Sequence, residues 1–236
     1  MGKRIMTQRR GRGTSLFQAH TFRAMGPVKY LPLGKVLTGK VLDLVHCPMH
    51  SAPLAEIKYD NGEMHYHFAS EGMTVGDIIQ FGSNIAKSGN ILQLNDVPAG
   101  SLVFNLEIRP GDGGKLVRSS GTFAKVVAKI EGNKVIIMLP SKKQKIFDGR
   151  CRVTIGTVAG GGRLEKPFLK GGKRNYAMKA RGRLHPQVSG VAMNAFEHPF
   201  GSGRGRHAGK PKSAPRFAPP GRNVGHIHSK RTGRKK

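Results

Sequence analysis

A chain of 236 residues has room for one domain or two small ones, and 41 Lys/Arg against 13 Asp/Glu give it a formal net charge of +28. Such a charge points to a polyanionic partner. No run approaches the roughly 18 apolar residues of a membrane helix, and Cys47 and Cys151 stand about a hundred residues apart with no pairing signature, so a reduced, intracellular protein is expected.

The charge is unevenly spread: residues 1–30 carry 7 Lys/Arg and no acid, 31–170 carry 18 against 12, and 171–236 carry 16 against 1. Only the centre has a globular composition. No signal peptide is expected, because Lys3 and Arg4 are not followed by an apolar stretch. The first 30 residues hold Gln8-Arg9-Arg10-Gly11-Arg12-Gly13, a run without an apolar face. Arginine forks bind phosphate bidentately and stack on bases, while glycine lets the backbone follow a groove, so this reads as an RNA-contacting arm.

Short strands begin after Gly34. Lys40–His46 and Leu54–Tyr59 read as strands, and Asp60-Asn61-Gly62 as a tight hairpin turn. The return strand sets Met64, Tyr66 and Phe68 on one face and His65 and His67 on the other. Thr74-Val75-Gly76-Asp77 turns into a strand over Ile78–Phe81. Several short antiparallel strands in so few residues predict a small OB-fold barrel over 34–88, preceded by a basic arm over 1–33.

A second β-rich unit, an SH3-like barrel, is expected over 89–170. Its strands are Leu102–Ile108, Phe123–Ile130, Lys134–Leu139 and Arg152–Val158, with the glycine-rich loop Pro110-Gly111-Asp112-Gly113-Gly114 among them. Val135–Leu139 is continuously apolar, the pattern of a strand buried on both faces. Beyond Ala159 the apolar content falls, and residues 171–236 read as an irregular basic extension. The fold class is therefore mainly β: two small barrels with long irregular ends.

Within that extension, Val191–Gly209 carries Glu197, His198 and His207 among arginines and glycines, with no hydrophobic period. It reads as a loop moulded onto RNA. A composition so one-sided in charge cannot bury a core, and folding onto RNA is the economical account.

Four other chemistries are weighed against this. Gly34-x4-Gly39-Lys40 lacks the Ser/Thr of a phosphate loop, because Val41 follows and a strand replaces the helix. Gly201-Ser202-Gly203-Arg204-Gly205 has neither the strand before it nor the helix after it that a dinucleotide site needs. His46, Cys47, His50, His65 and His67 could supply zinc ligands, but one thiolate is fewer than structural sites usually use, so surface, RNA-facing histidines are expected. Glu197-His198 invites an acid–base reading, as in a nuclease or transferase, yet adjacent side chains seldom face each other and no nucleophile accompanies them. A packing or RNA-contact role for His198 is expected, with its protonated form favoured beside phosphate. A general basic coat for nucleic acid is the remaining rival.

The motifs Gly190-Val191-Ala192-Met193-Asn194 and Glu197-His198-Pro199-Phe200-Gly201 closely resemble those of the universal L-two family of large-ribosomal-subunit proteins. Matches extend through Gln8–Gly13, Ala52–Ala55, Glu71–Met73, Val75–Asp77, Gly89-Asn90, Pro110–Leu116, Gly121-Thr122, Leu139–Ser141 and Ile155-Gly156. The Glu-His-Pro-Phe form, with Val158–Arg163 and Arg231–Arg234, is similar to the archaeal and eukaryotic branch. The chain departs from the pattern at Ala195-Phe196, where the family commonly has Pro-Val, and at Ser202, where it commonly has Gly.

The resemblance implies a structural protein of the large subunit in the cytoplasm. Its partners would be large-subunit rRNA, neighbouring ribosomal proteins and the small subunit at an inter-subunit bridge, with no membrane and no homo-oligomer. Its extension would run toward the peptidyl-transferase region, where His198 matches the family's loop histidine and the chemistry belongs to RNA. No cofactor, metal or catalytic residue is expected. The residues expected at rRNA are Arg9, Arg10 and Arg12 in the arm, and Lys115, Arg118, Arg152 and Arg163 in the second barrel. In the extension they are Lys173, Arg174, Arg181, Arg183, Asn194, Glu197, His198, Arg204, Arg206, Lys210, Arg222, Arg231 and Arg234.

Overall fold

The Asp60-Asn61-Gly62 turn closes a hairpin between β2 (Leu54–Tyr59) and β3 (Met64–Phe68), with Gly62 at φ +84° and the Gly62 N–H donating to Tyr59 O at 2.9 Å. Only glycine and a few polar residues take that backbone without strain. In the computed structural model, which describes residues 2–32, 36–203 and 205–227, this hairpin is one edge of a ten-stranded sheet. The sheet order is β3-β2-β1-β4-β5-β10-β6-β7-β8-β9. The remaining strands are β1 (Leu37–Val45), β4 (Ile78–Phe81), β5 (Ile91–Gln93), β6 (Leu102–Phe104), β7 (Ala124–Ile130), β8 (Lys134–Met138), β9 (Gln144–Asp148) and β10 (Arg152–Ile155).

The protein is mainly β, an OB-fold half followed by an SH3-like half. One sheet carries both, and within it β5 and β10 pair antiparallel through Leu92 and Val153. β4 and β5 meet parallel at Phe81 and Ile91. Bulges interrupt β1 between Val41 and Asp43 and β7 between Val126 and Ala128, where a sheet bends most readily. The start of β1 crosses so close to β2 that a Cβ on Gly39 would meet the Ile57 and Tyr59 side chains.

Apolar residues gather in three clusters. One lies in the SH3-like half around Val126, Ile137 and Val153. A second lies in the OB half around Val41, Ile57 and Phe81, and includes Tyr30 and Leu31 from the segment before β1. The third joins Leu54, Phe68, Phe104 and Val158. Each fully buried Leu or Ile contributes about 1.5–3 kcal/mol. These clusters explain why so many short strands hold together.

Three expectations change. Val135–Met138 is buried on one face only, because Val135 and Ile137 point inward while Ile136 and Met138 are half-exposed. β5 and β9 were not foreseen, and the expected strands from Leu102 and Arg152 end early, at Phe104 and Ile155. The extension is not wholly irregular, since α2 (Gly171–Ala180) occupies its start and α1 (Met6–Gly11) lies in the amino-terminal arm.

The chain divides into two compact units, one over Thr21–Pro167 holding the whole sheet, the other joining residues 1–20 to 168–236. Within the second unit, the Lys3 N–H donates to Phe196 O at 2.8 Å and the His20 N–H to Ala180 O at 3.2 Å. The two ends thus form one body. Among its described residues only Ile5 is buried.

Candidate nucleic-acid interface

The unit of the two ends carries 22 Lys/Arg against one acid, Glu197, whereas the sheet unit carries 19 against 12. In α1 the Gln8 side chain accepts the Ile5 N–H at 3.2 Å, capping the helix start, while Arg9 and Arg10 occupy its last turn, where cations suit the helix dipole. Arg9, Arg10 and Arg12 are exposed. Helix α2 buries nothing, and its Lys173 and Arg174 are exposed, as are Arg181 and Arg183 just after it. A helix polar on every side draws little from packing.

The loop after the short 3-10 turn Gly190–Ala192 is held by its own backbone. Asn194 O accepts the N–H groups of Glu197 at 2.9 Å and His198 at 3.1 Å, and His198 O accepts the Gly201 N–H at 2.9 Å. Nδ1 of His198 accepts the Phe200 N–H at 3.0 Å, and the imidazole packs 5.4 Å from the Phe200 ring. Gly190 lies against this imidazole so closely that a Cβ would overlap it. Partial burial lowers the His198 pKa, and an accepting Nδ1 also requires the unprotonated nitrogen. In the protein itself the neutral form is favoured, rather than the protonated form expected beside phosphate.

Glu197 does not face His198. Its carboxylate meets Lys3 Nζ at 3.2 Å, and Lys3 also sits 5.5 Å from the Phe196 ring centroid. An acid–base dyad is therefore not assembled. Arg206, Lys210 and Arg222 are exposed, as is Asn194. Arg204, Arg231 and Arg234, and the expected boundary at Gly34, lie outside the described residues.

In the sheet unit the four expected arginine and lysine contacts separate. Lys115 is exposed and 3.5 Å from Asp112; Arg163 is exposed, its Nε donating to Ser120 Oγ at 3.1 Å. Arg118 is half-buried, with its guanidinium 4.9 Å from the Phe68 centroid and its N–H groups donating to Gly114 O and Val28 O. Arg152 is the correction: it is 3% exposed and its donors are used internally. Its Nε donates to Glu107 Oε1 at 3.0 Å, its Nη2 to the same oxygen at 2.5 Å, and its Nη1 to Leu31 O. Nothing near Arg152 in sequence announces this, because its partner Glu107, 0% exposed, lies 45 positions away.

Of the histidines expected on the surface, His46 is exposed, His50 and His65 are half-buried, and His67 is the exception. His67 is buried with Nε2 bonded to the Tyr59 hydroxyl at 2.9 Å, and burial drives its pKa down to about 3. His50 contacts Cys47 Sγ at 3.2 Å, and His65 contacts Glu63 at 3.2 Å. Among the described residues no three His, Cys, Asp or Glu side chains gather as a metal site. Gly39-Lys40 lies inside β1. No helix among the described residues is long and apolar enough to cross a membrane.

Two family models match the chain: Ribosomal Proteins L2, RNA binding N-terminal domain, over residues 4–81, and Ribosomal Proteins L2, C-terminal domain, over residues 87–217. The chain is 49% identical over 242 residues to the large ribosomal subunit protein uL2 of Methanococcus vannielii, covering all of both chains. It is 49% identical to the uL2 of Methanocaldococcus jannaschii, again over all of both chains. It is also 49% identical to that of Natronomonas pharaonis, over 99% of this chain and 97% of that one.

Proposed function

The chain belongs to the ribosomal protein L2 family, and on that premise we propose that it is a structural constituent of the large subunit of the cytoplasmic ribosome, binding rRNA. The observation that carries this is the unit of the two chain ends, where 22 cations face one acid and a single apolar side chain is buried among the described residues. A body of that make-up is completed by phosphate, which removes its self-repulsion and releases counterions.

We assign the RNA contacts to Arg9, Arg10, Arg12, Lys173, Arg174, Arg181, Arg183, Asn194, Arg206, Lys210 and Arg222, with Lys115 and Arg163 from the sheet unit, all exposed. Arg118, Glu197 and His198, each half-buried, contribute at their exposed edges. Arg152 is withdrawn from that set. Arg204, Arg231 and Arg234 extend it by sequence. In this reading the OB half covers residues 34–88, the SH3-like half 89–170, and the ends support subunit association and the architecture around the peptidyl-transferase region. The protein contributes position and countercharge and no chemistry of its own, in keeping with Glu197 turned to Lys3 and His198 bonded to its own loop.

Filter binding to large-subunit rRNA across a salt series tests this. The log–log slope should steepen by a little under one unit per phosphate neutralised, and duplex DNA should compete poorly. A flat salt response, or equal competition by bulk duplex, would refute a specific rRNA role.

A further inference from the structure

Residues from both chain ends line an open cup of about 450 Å³ within the cationic unit. Its lining residues include Lys3, Arg4, Phe196, Glu197, Lys210 and Arg222. Among the described residues Arg4, Lys210 and Arg222 pair with no carboxylate, so three cations are left for phosphate. Phe196 is 52% exposed, with Lys3 Nζ 5.5 Å from its ring centroid, and an exposed aromatic side chain is the usual platform for an unstacked base.

Glu197 is the informative member. A carboxylate among cations that bind phosphate works against affinity unless it meets a donor. Its Oε1 takes Lys3 Nζ at 3.2 Å; its Oε2 has no partner among the described residues. On an unpaired base, guanine alone presents two adjacent N–H donors on its Watson–Crick edge, N1–H and the N2 amino group. Adenine and cytosine set an acceptor nitrogen beside their amino group, and uracil flanks its N–H with carbonyls. Each of these offers a carboxylate a single donor and sets an acceptor beside it, against the second oxygen. A duplex hides the guanine edge against cytosine, so the ligand must be unpaired.

We propose that this cup binds one unpaired guanosine nucleotide, with Arg4, Lys210 and Arg222 on its phosphate, Phe196 stacked on its base and Glu197 reading its Watson–Crick edge. The proposal rests on the rRNA-binding reading and narrows it to a base and a place. The backbone bond from Lys3 N–H to Phe196 O ties the arm to the loop, so the cup exists only when both ends are present.

The test is titration of the full chain with GMP, AMP, CMP, UMP and inorganic phosphate, each an anion that orders the ends as it binds, followed by NMR. GMP should bind at least roughly fivefold more tightly than the other nucleotides, the lower end of what a bidentate base contact commands. Glu197→Gln should erase that preference and, by removing a negative charge, bind phosphate at least as tightly, and Phe196→Ala should weaken all nucleotides but not phosphate. Lys210→Ala with Arg222→Ala should weaken every ligand alike. Equal affinities for all four nucleotides, or a preference that survives Glu197→Gln, would overturn the proposal. The two readings fail separately: salt-dependent rRNA binding without a guanosine preference sinks this one alone, whereas loss of rRNA binding by the intact chain sinks the broader one.

Discussion

The sheet unit and the unit of the two ends share a chain but are held by different forces. Three apolar clusters lock the strands of Thr21–Pro167. Among their described residues the ends have one buried apolar side chain, Ile5, and rely on backbone bonds, capped turns and close glycine contacts such as Gly182 against Phe17 and Gln18. Even their ion pair, Lys3 with Glu197, is exposed on both sides, where such pairs contribute little. Cooperative stability follows buried apolar area, so the first unit defines a fold by itself. The second defines a shape whose stability is supplied by whatever neutralises it.

The sharpest way to test that contrast is to strike the sheet unit at Arg152 and Glu107, the one buried ion pair among the described residues. Glu107 also accepts the N–H groups of Arg152 at 2.8 Å and Gly113 at 2.9 Å, so Glu107→Ala strands a buried guanidinium. It should cost about 3–5 kcal/mol in urea unfolding, and adding Arg152→Met should recover part of it. Leu54→Ala, at a fully buried site, should cost about 3 kcal/mol by the same measurement.

Acid should act next. The His67 pKa is held at about 3 against an ordinary 6.5, so below pH 6.5 the unfolded chain takes up a proton that the folded chain refuses. Stability should therefore fall as pH drops through this window, by about 2 kcal/mol at pH 5, and His67→Gln should flatten that part of the profile. For the ends, trypsin acting on RNA-free protein should leave a resistant fragment near residues 21–167, and added rRNA should protect the ends. A resistant cationic unit in the absence of RNA would break the comparison. The smallest effect belongs to His198→Ala, which should shift rRNA affinity by less than about twofold while impairing assembly or translation of ribosomes that contain it, because the imidazole bonds inward to Phe200.

What was legible in the sequence follows the same division. The β2–β3 hairpin could be read because Asp60-Asn61-Gly62 and the alternation on either side state both turn and face. β9 could not: of Gln144–Asp148 only Phe147 is buried, so no period marks the strand. β5 is three residues in a locally apolar run that fits several structures. Helix α2 was hidden by Gly171 and Gly172 at its start, although Ala177, Met178, Lys179 and Ala180 are good helix formers. The cationic character of the interface was plain from composition alone. The removal of Arg152 from it was not, because an arginine's burial is set by a distant glutamate and not by its neighbours.

The union of the two ends has a consequence for how the protein is made. Residues 2–20 leave the exit tunnel well before the segment around Phe196 and Arg222 has been translated. At about 5–20 residues per second that interval is on the order of 10–40 s. Throughout it the newborn arm is a loose polycation with its intramolecular mate still unmade, at the moment when the surrounding cell offers it every nucleic acid in reach. Closure of that body is thus a late event in synthesis, and a chaperone that shields the nascent arm would have its use during that wait.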